Sequence, residues 1–303
     1  MELNTDLVTG PPRAAATVIM LRDGCPDGEG SDSGLEVFLI RRHLKSSVLG
    51  GVFVFPGGKV DKLDAELDTH AHLDQSLTEL HSALNESDID APTAASLYIA
   101  AIREVFEESG ILFAEGATQK LATHLQASQA TAMLREGHAF AAVLAEMKLR
   151  LQTSSLAPWS RWITPVSPSV MNKRFDTRFF VAAVPTGQVA MHDNHEATES
   201  VWLTPRMALE QQRDALIEMA PPQTMTLAHL SRFDNVQAVM AEARSRKPPT
   251  VMPHAIDIDG TRVICYPGDD AHPVRQRAMP GPMRLHYRNK LFEPLDGFDA
   301  LFC

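Results

Sequence analysis

Residues 100–112 read AAIREVFEESGIL, and their spacing decides how the rest of the chain is read. On a helix turning 100° per residue, Glu104, Glu107 and Glu108 fall at i, i+3 and i+4, inside one narrow stripe. Ala95, Ile99, Ile102, Phe106 and Ser109 gather on the opposite side. The spacing predicts a helix over residues 90–110, with one face on a core and the other presenting three carboxylates. Gly110 stands where a helix ends in a left-handed residue, and Ile111 follows to pack back. Like charges at this spacing repel by about a few tenths of a kcal/mol per pair, and a divalent cation reverses the sign of that cost. Oxygen-only donors suit Mg²⁺ or Mn²⁺ rather than zinc or copper. Mg²⁺ also shares its shell with waters and substrate phosphates. Arg103, four residues before Glu107, is placed to steady that carboxylate.

Outward from this helix the chain alternates strands and helices. Residues 14–21 (AAATVIML) and 35–42 (LEVFLIRR) are β-branched apolar runs separated by a Gly/Asp/Ser-rich turn, which predicts two neighbouring strands. Residues 52–55 (VFVF) form a strand ended by Pro56-Gly57-Gly58. Residues 61–90 are acidic and weakly periodic, with one faint helical stretch near 73–84, and read as a surface insertion. His70, His72 and His81 within it lack metal-ligand spacing. Further helices are expected at about 117–135, 138–152, after Pro205 and over 221–245, and strands at 175–184 and 199–203. Residues 256–265 predict a hairpin turning at Asp259-Gly260, and the Pro-rich tail after Pro267 reads as irregular. This order predicts an α+β fold.

The 303 residues, 44% hydrophobic and 22% charged, suffice for a sizeable core. A net charge of −10 speaks against a general nucleic-acid binder, but not against a phosphate-bearing substrate whose charge a metal offsets locally. The three cysteines, Cys25, Cys265 and Cys303, form no CxxC and suit a reducing compartment. No basic-then-apolar leader opens the chain, and no run approaches the roughly 20 apolar residues of a membrane helix. The expectation is a cytoplasmic enzyme, partnered by neither nucleic acid nor membrane. A homodimer is one assembly this composition allows.

In REVFEESGI, residues 103–111, every position matches the helical half of the nudix signature: Arg-Glu, an aliphatic residue, any residue, Glu-Glu, any residue, Gly, an aliphatic residue. A chance match in a chain of this length is of order one in 10⁴ to 10⁵. That outweighs the alternative of a merely solvated amphipathic helix. The chain is therefore identified as resembling the nudix hydrolases. Phe55-Pro56-Gly57-Gly58 matches the strand and turn that lead into the signature, where glycines let the backbone approach metal-bound phosphates. In the usual pattern a Glu stands six residues after the second Gly, and Arg-Glu comes eight residues later. Here the sixth residue is Asp64, and Arg103 lies 39 residues beyond it. Asp61, Asp64 or Asp90 could fill the first acidic position, or none of them.

A long insertion at this place resembles the subgroup that includes the peroxisomal-type coenzyme A diphosphatases. WSRWITP (159–165), RFDTRFF (174–180) and ESVWLTP (199–205) are similar to it as well. A second coenzyme A pattern is matched at Arg42, Gly51 and Phe55-Pro56-Gly57-Gly58, but Ser47 stands where an Arg is expected.

The resemblance implies a nudix α/β/α sandwich with a mixed sheet, helical insertions and a C-terminal extension. It divides the chain into a hydrolase domain, residues 13–220, and an extension, residues 221–303. It implies that Glu104, Glu107 and Glu108 hold Mg²⁺ or Mn²⁺, and that water attacks one phosphorus of a diphosphate. One of Glu108, Glu196 or Glu199 would take the proton, with Arg103 beside them. Arg42, Gly57 and Gly58 are the implied substrate contacts. Arg284 and Arg288 are second candidates, from a basic strip over 271–292 whose favoured role is docking on the acidic body. Coenzyme A is the first substrate candidate, with ADP-ribose, dinucleotides and nucleotide sugars as alternatives. A catalytically dead sensing or partner-binding module is the rival from another class. Such modules lose a signature carboxylate, and this chain keeps all three.

Overall fold

The structure, a computed structural model, describes residues 2–24, 34–46, 48–116, 120–193 and 197–303. Strands β1 (Arg13–Asp23) and β2 (Leu35–Arg42) pair antiparallel as the two apolar runs predict. β3 (Phe53–Val54) adds to β2. The chain then turns at Pro56 so that β4 (Gly57–Lys59) pairs with β1, Gly57 opposite Thr17 and Gly58 opposite Ala16.

Residues 61–90 depart from expectation. They form three short helices, α1 (Lys62–Glu66), α2 (Thr69–His72) and α3 (Leu77–Leu84), before the long α4 (Ala91–Ser109). Leu67, Leu73, Leu80 and Leu84 are buried in the same core as α4, so the segment is not a surface excursion. Asp74 accepts from the N–H and hydroxyl of Thr153 at 2.8 and 2.5 Å. Glu86 is paired with Arg161 at 2.9 Å and with Arg178. Leu80 and Leu84 do stand four apart on α3, but helices of four to eight residues give only a faint periodic signal. α4 itself spans the predicted residues. The Asp90 carboxylate accepts from the Thr93 N–H at 2.9 Å, and Gly110 ends the helix at φ +71.

Strand β5 (Ala114–Glu115), helices α5 (His124–Arg135) and α6 (Phe140–Met147) and strand β6 (Arg150–Leu151) follow. Both helices are shorter than expected. Thr123 caps the start of α5, Lys148 takes a left-handed conformation at the end of α6, and residues 117–119 lie outside the described residues. Next come β7 (Ala157–Ile163), β8 (Phe175–Ala183), β9 (Ala197–Leu203) and α7 (Pro205–Arg213). The expected helix over 221–245 is two helices, α8 (Pro221–Leu230) and α9 (Val236–Ser245), because Asn235 caps a new start.

The remaining strands are β10 (Thr250–Val251), β11 (His254–Ile258), β12 (Thr261–Cys265), β13 (Arg284–Arg288) and β14 (Leu291–Glu293). β11 and β12 form the predicted hairpin, with Asp259 and Gly260 at φ +48 and +75. The tail is irregular only in part: residues 266–283 carry neither strand nor helix. β13 and β14 complete a four-stranded sheet, turning through Asn289 and Lys290 at φ +49 and +63.

The main sheet is mixed, in the order β10-β7-β8-β1-β2-β3, with β4 on β1 and β9 on β2. β1 runs parallel to β8 and β10 to β7. Alternate residues of β1 serve the two faces. Val18 and Met20 meet the core of α3 and α4, while Ile19 and Leu21 meet that of α7, α8 and α9. The architecture is therefore an α/β/α sandwich of the α+β class. Ile264, Leu285, Phe292 and Leu301 bury into the second core, and β10 joins the main sheet. Among the described residues no helix is long and apolar enough to cross a membrane.

Candidate active site

The signature helix brings its charges together around Arg103, which is 8% exposed. A guanidinium has five N–H donors, and all five are engaged. Nε and Nη2 grip the two oxygens of Asp64 at 2.8 and 2.9 Å. Nη1 donates to Glu104 at 2.9 Å and to Glu107 at 3.0 Å, and Nη2 donates to the Lys59 carbonyl at 3.1 Å. Burial disfavours the Arg103 charge, but Asp64, Glu104 and Glu107 together hold it protonated more firmly than an ordinary guanidinium. Burial also raises the pKa of Glu107, against the opposing pull of Arg103. Arg103 thus has no donor left for a ligand and acts as a clamp.

Asp64 fills the first acidic position geometrically, since its forked pair with Arg103 is 98% buried on the Asp side. Asp61 is exposed, 3.7 Å from the same guanidinium, and Asp90 caps α4.

The three glutamates are not equally presented, contrary to the picture of one open acidic stripe. The Glu107 side chain is 41% exposed, Glu104 15% and Glu108 3%. β4 and Arg42 cover Glu108, which accepts the Gly57 N–H at 2.8 Å and lies 3.7 Å from Arg42 Nη1. Helix period alone could not show this cover. The two glycines are required by close approach. A Cβ on Gly57 would lie 2.4 Å from the Ala16 carbonyl oxygen, and one on Gly58 only 2.3 Å from the Glu104 carboxyl carbon.

These groups form one end of a cavity of about 470 Å³, where Arg42, Gly57, Gly58, Lys59, Glu104 and Glu107 are wall residues. The other end is mainly apolar, built by Trp162, the stretch from 163 to 175, the start of α8, and Pro253, Ala255 and Ile264. Among the described residues no three acidic, His or Cys side chains converge as a complete metal cage. Mg²⁺ keeps several waters and takes phosphate oxygens for the rest of its shell. Glu104 and Glu107, both at the cavity wall and both all-oxygen donors, fit such an ion.

Other candidates lie elsewhere. Glu199 sits on β9 opposite Arg41, 3.5 Å from its guanidinium, and does not line the cavity. Glu196 and Ser47 lie outside the described residues. Arg284 is forked onto Asp269 at 2.7 and 2.8 Å, Arg288 is exposed on β13, and neither lines the cavity. The basic strip is tied largely within its own segment rather than docked on the acidic body. Arg275 meets Asp270 and Arg277 meets backbone carbonyls, although Lys290 reaches Glu2. Trp162 lies in the WSRWITP stretch, but sequence reading missed Ser169, Lys173 and Gln223 in the cavity wall. No local motif marks them, because they meet the signature only through the fold.

Comparison with known proteins agrees with this geometry. Residues 12–230 match the family model described as the NUDT19 Nudix domain. The acyl-coenzyme A diphosphatase NUDT19 of Xenopus laevis is 30% identical over 281 residues, covering 82% of this chain and 74% of that protein. The Gallus gallus protein of the same name is 28% identical, covering 74% of this chain and 69% of its own. The crystal structure of a NUDIX hydrolase from Alicyclobacillus acidocaldarius superposes with a TM-score of 0.62 at 25% identity, covering 79% of this chain and 98% of that one. The chain belongs to the NUDT19 Nudix domain family and is a nudix hydrolase, an enzyme that cleaves phosphoanhydride bonds.

Proposed function

We propose that this enzyme hydrolyses the diphosphate of coenzyme A or an acyl-coenzyme A, giving a phosphopantetheine and adenosine 3′,5′-bisphosphate. The observation that carries the reading is a saturated Arg103 clamp that holds Glu104 and Glu107 at one end of a cavity whose other end is apolar. A substrate with a charged diphosphate and a long neutral arm matches both ends. The names of the relatives from Xenopus laevis and Gallus gallus support the same substrate class.

Mg²⁺ or Mn²⁺ would be held by Glu104 and Glu107, with Glu108 behind them, and would supply Lewis acidity at the phosphoryl oxygens. Asp64 and Arg103 orient the two outer glutamates. Gly57 and Gly58 let the backbone lie against the carboxylates, leaving the diphosphate room to approach. Of the residues weighed for the proton, Glu108 is our choice: it is covered and is not itself a wall residue, but it bonds directly to Gly57 and Arg42, which are, whereas Glu199 pairs with Arg41 outside the cavity and Glu196 lies outside the described residues. Arg42 is the candidate for the 3′-phosphate. The domain division at 220/221 is part of this reading, with the extension supplying part of the cavity lining, Pro221 to Gln223, Pro253, Ala255 and Ile264. A reducing compartment, the cytoplasm, is assigned on the sparse cysteines, Cys265 and Cys303 being free.

The test is a panel of diphosphates with Mg²⁺, products read by mass spectrometry. Coenzyme A should be cut faster than ADP-ribose, a dinucleotide or a nucleotide sugar, and dephospho-coenzyme A roughly tenfold less efficiently in kcat/KM, about 1.4 kcal/mol. Coenzyme A left intact beside rapid ADP-ribose cleavage would refute the substrate while leaving the hydrolase standing.

A further inference from the structure

Among the described residues three glutamines are buried, Gln188, Gln212 and Gln223. Two of them are satisfied at both ends of the amide. Gln188 accepts the Leu112 N–H at 2.9 Å and donates to the carbonyls of Leu112 and Ala122 at 3.0 and 2.9 Å. Gln212 accepts from the Thr224 hydroxyl at 3.0 Å and donates to the Met219 carbonyl at 3.0 Å. Gln223 is the exception. It is 7% exposed, and its Oε1 has no hydrogen-bond partner. It is also the one of the three that lines the main cavity.

A second group lining the same cavity shares this state. Ser169 is 6% exposed, lines the cavity, and its hydroxyl has no partner. Its backbone is nevertheless fixed, since the Asn4 N–H donates to the Ser169 carbonyl at 3.0 Å and the Asn4 side chain donates to the Met171 carbonyl at 2.6 Å. Gln223 is equally fixed. It sits in the first turn of α8, and the Phe53 N–H donates to the Glu218 carbonyl at 2.8 Å, which draws this segment onto the strand before the glycine pair. Buried polar atoms without partners cost free energy, and they persist where something else satisfies them. Their surroundings state what that is. Val170, Met171, Pro221, Pro222, Pro253 and Ile264 line the same cavity, with Lys173 the charged side chain of that stretch, so a largely aliphatic group carrying an N–H donor and a carbonyl suits this lining. A secondary amide in an aliphatic arm meets this description. A sugar does not, because its several hydroxyls would be left unpaired against an apolar wall.

We infer that Gln223 and Ser169 read an amide in the arm of the substrate, Gln223 Oε1 accepting its N–H and Ser169 donating to its carbonyl, so that the hydrolase domain and the C-terminal extension together set specificity away from the diphosphate. This rests on the coenzyme A reading, whose pantetheine arm carries such amides.

The test separates the two halves of the substrate by product inhibition of the Mg²⁺-loaded full-length enzyme. Phosphopantetheine carries the arm and adenosine 3′,5′-bisphosphate lacks it. In Gln223→Met, which keeps the side-chain length, and independently in Ser169→Ala, the inhibition constant for phosphopantetheine should rise about tenfold. That for adenosine 3′,5′-bisphosphate should stay within twofold, and KM for coenzyme A should rise with kcat little changed. Equal weakening of both inhibitors would show a packing role and overturn the inference. So would unchanged inhibition by both, since the polar atoms would then be satisfied by water alone. If the wild-type enzyme does not cut coenzyme A, the substrate reading fails in that control, before any variant is made, and takes this inference with it.

Discussion

The two ends of the cavity are built on opposite principles. At the acidic end every donor of Arg103 is taken, and Asp64, Glu104 and Glu107 are held by it at 2.8–3.0 Å. At the far end the buried Gln223 Oε1 and Ser169 Oγ have no partner. A saturated network cannot rearrange cheaply, and so it fixes where negative charge will stand. An unsaturated wall is complete only when a ligand supplies the missing groups. The difference teaches that a hydrogen-bond census distinguishes residues that hold a site from residues that read what enters it.

Breaking the acidic end at its centre should have the largest effect. Arg103→Met leaves Asp64 charged and 98% buried without its partner, which costs about 3–5 kcal/mol of stability. Turnover should fall by roughly 10³-fold or more as Glu104 and Glu107 lose their orientation. Denaturant titration and steady-state kinetics measure both. Arg103→Lys should be nearly as poor in turnover, because an ammonium cannot reproduce the fork. Wild-type kinetics in the Lys variant would show that the clamp is unnecessary.

The next test concerns the helices that carry Asp64 to this end. Leu80→Ala in α3 should lower stability by about 2–4 kcal/mol, whereas Leu63→Ala in α1, at 65% exposure, should change it by less than about 0.5 kcal/mol. Replacing 65–89 with a short linker should leave a protein that no longer unfolds cooperatively. Equal behaviour of the two leucine variants would return this segment to the surface.

Within the intact clamp, Glu107→Gln should reduce kcat by about 10²-fold, near 2.7 kcal/mol, while the unfolding midpoint barely moves, since this side chain is 41% exposed. Excess EDTA should abolish turnover of the wild type. Full activity in chelator would end the assignment of a divalent cation to these carboxylates.

The smallest effect sharpens the other end. α8, which carries Gln223, also packs the half-buried His229 against Trp159, ring centroids 4.6 Å apart. Burial, with repulsion from Arg246 and Arg232, pushes the His229 pKa down from 6.5 to about 3. The folded protein therefore binds fewer protons than the unfolded chain between those values. Its stability from this source is complete above pH 6.5 and is lost as pH falls toward 3. The loss should be roughly 1–2 kcal/mol between pH 6.5 and 4.5, allowing for partial solvent screening. His229→Phe should flatten that part of the pH–stability curve. An unchanged slope would assign the acid sensitivity to other groups.

Much of the acidic end was legible in advance. α4 begins at the Asp90 cap and ends at Gly110, because cap chemistry and the left-handed terminus are properties of adjacent residues. The β1–β2 pair and the Asp259-Gly260 hairpin were readable for the same reason. The buried state of Glu108 was not, since it depends on β4 folding back across the helix. The insertion misled because acidic composition was taken as exposure. Asp64, Asp74 and Glu86 each find a partner distant in sequence, Arg103, Thr153 and Arg178.

By itself the sequence determined the signature helix, its stripe of carboxylates, the two glycines before it and the family resemblance they carry. All of these are short-range patterns, in which residue type and spacing act through one helix period or one turn. Only the tertiary structure decided which acid joins Arg103 across 39 positions, which glutamate is covered, and that Ser169 and Gln223 line one cavity. Those facts depend on how the two layers of helices close over the sheet. Packing selects them among many pairings that the local sequence permits equally, because burial rewards apolar area without specifying which segments supply it.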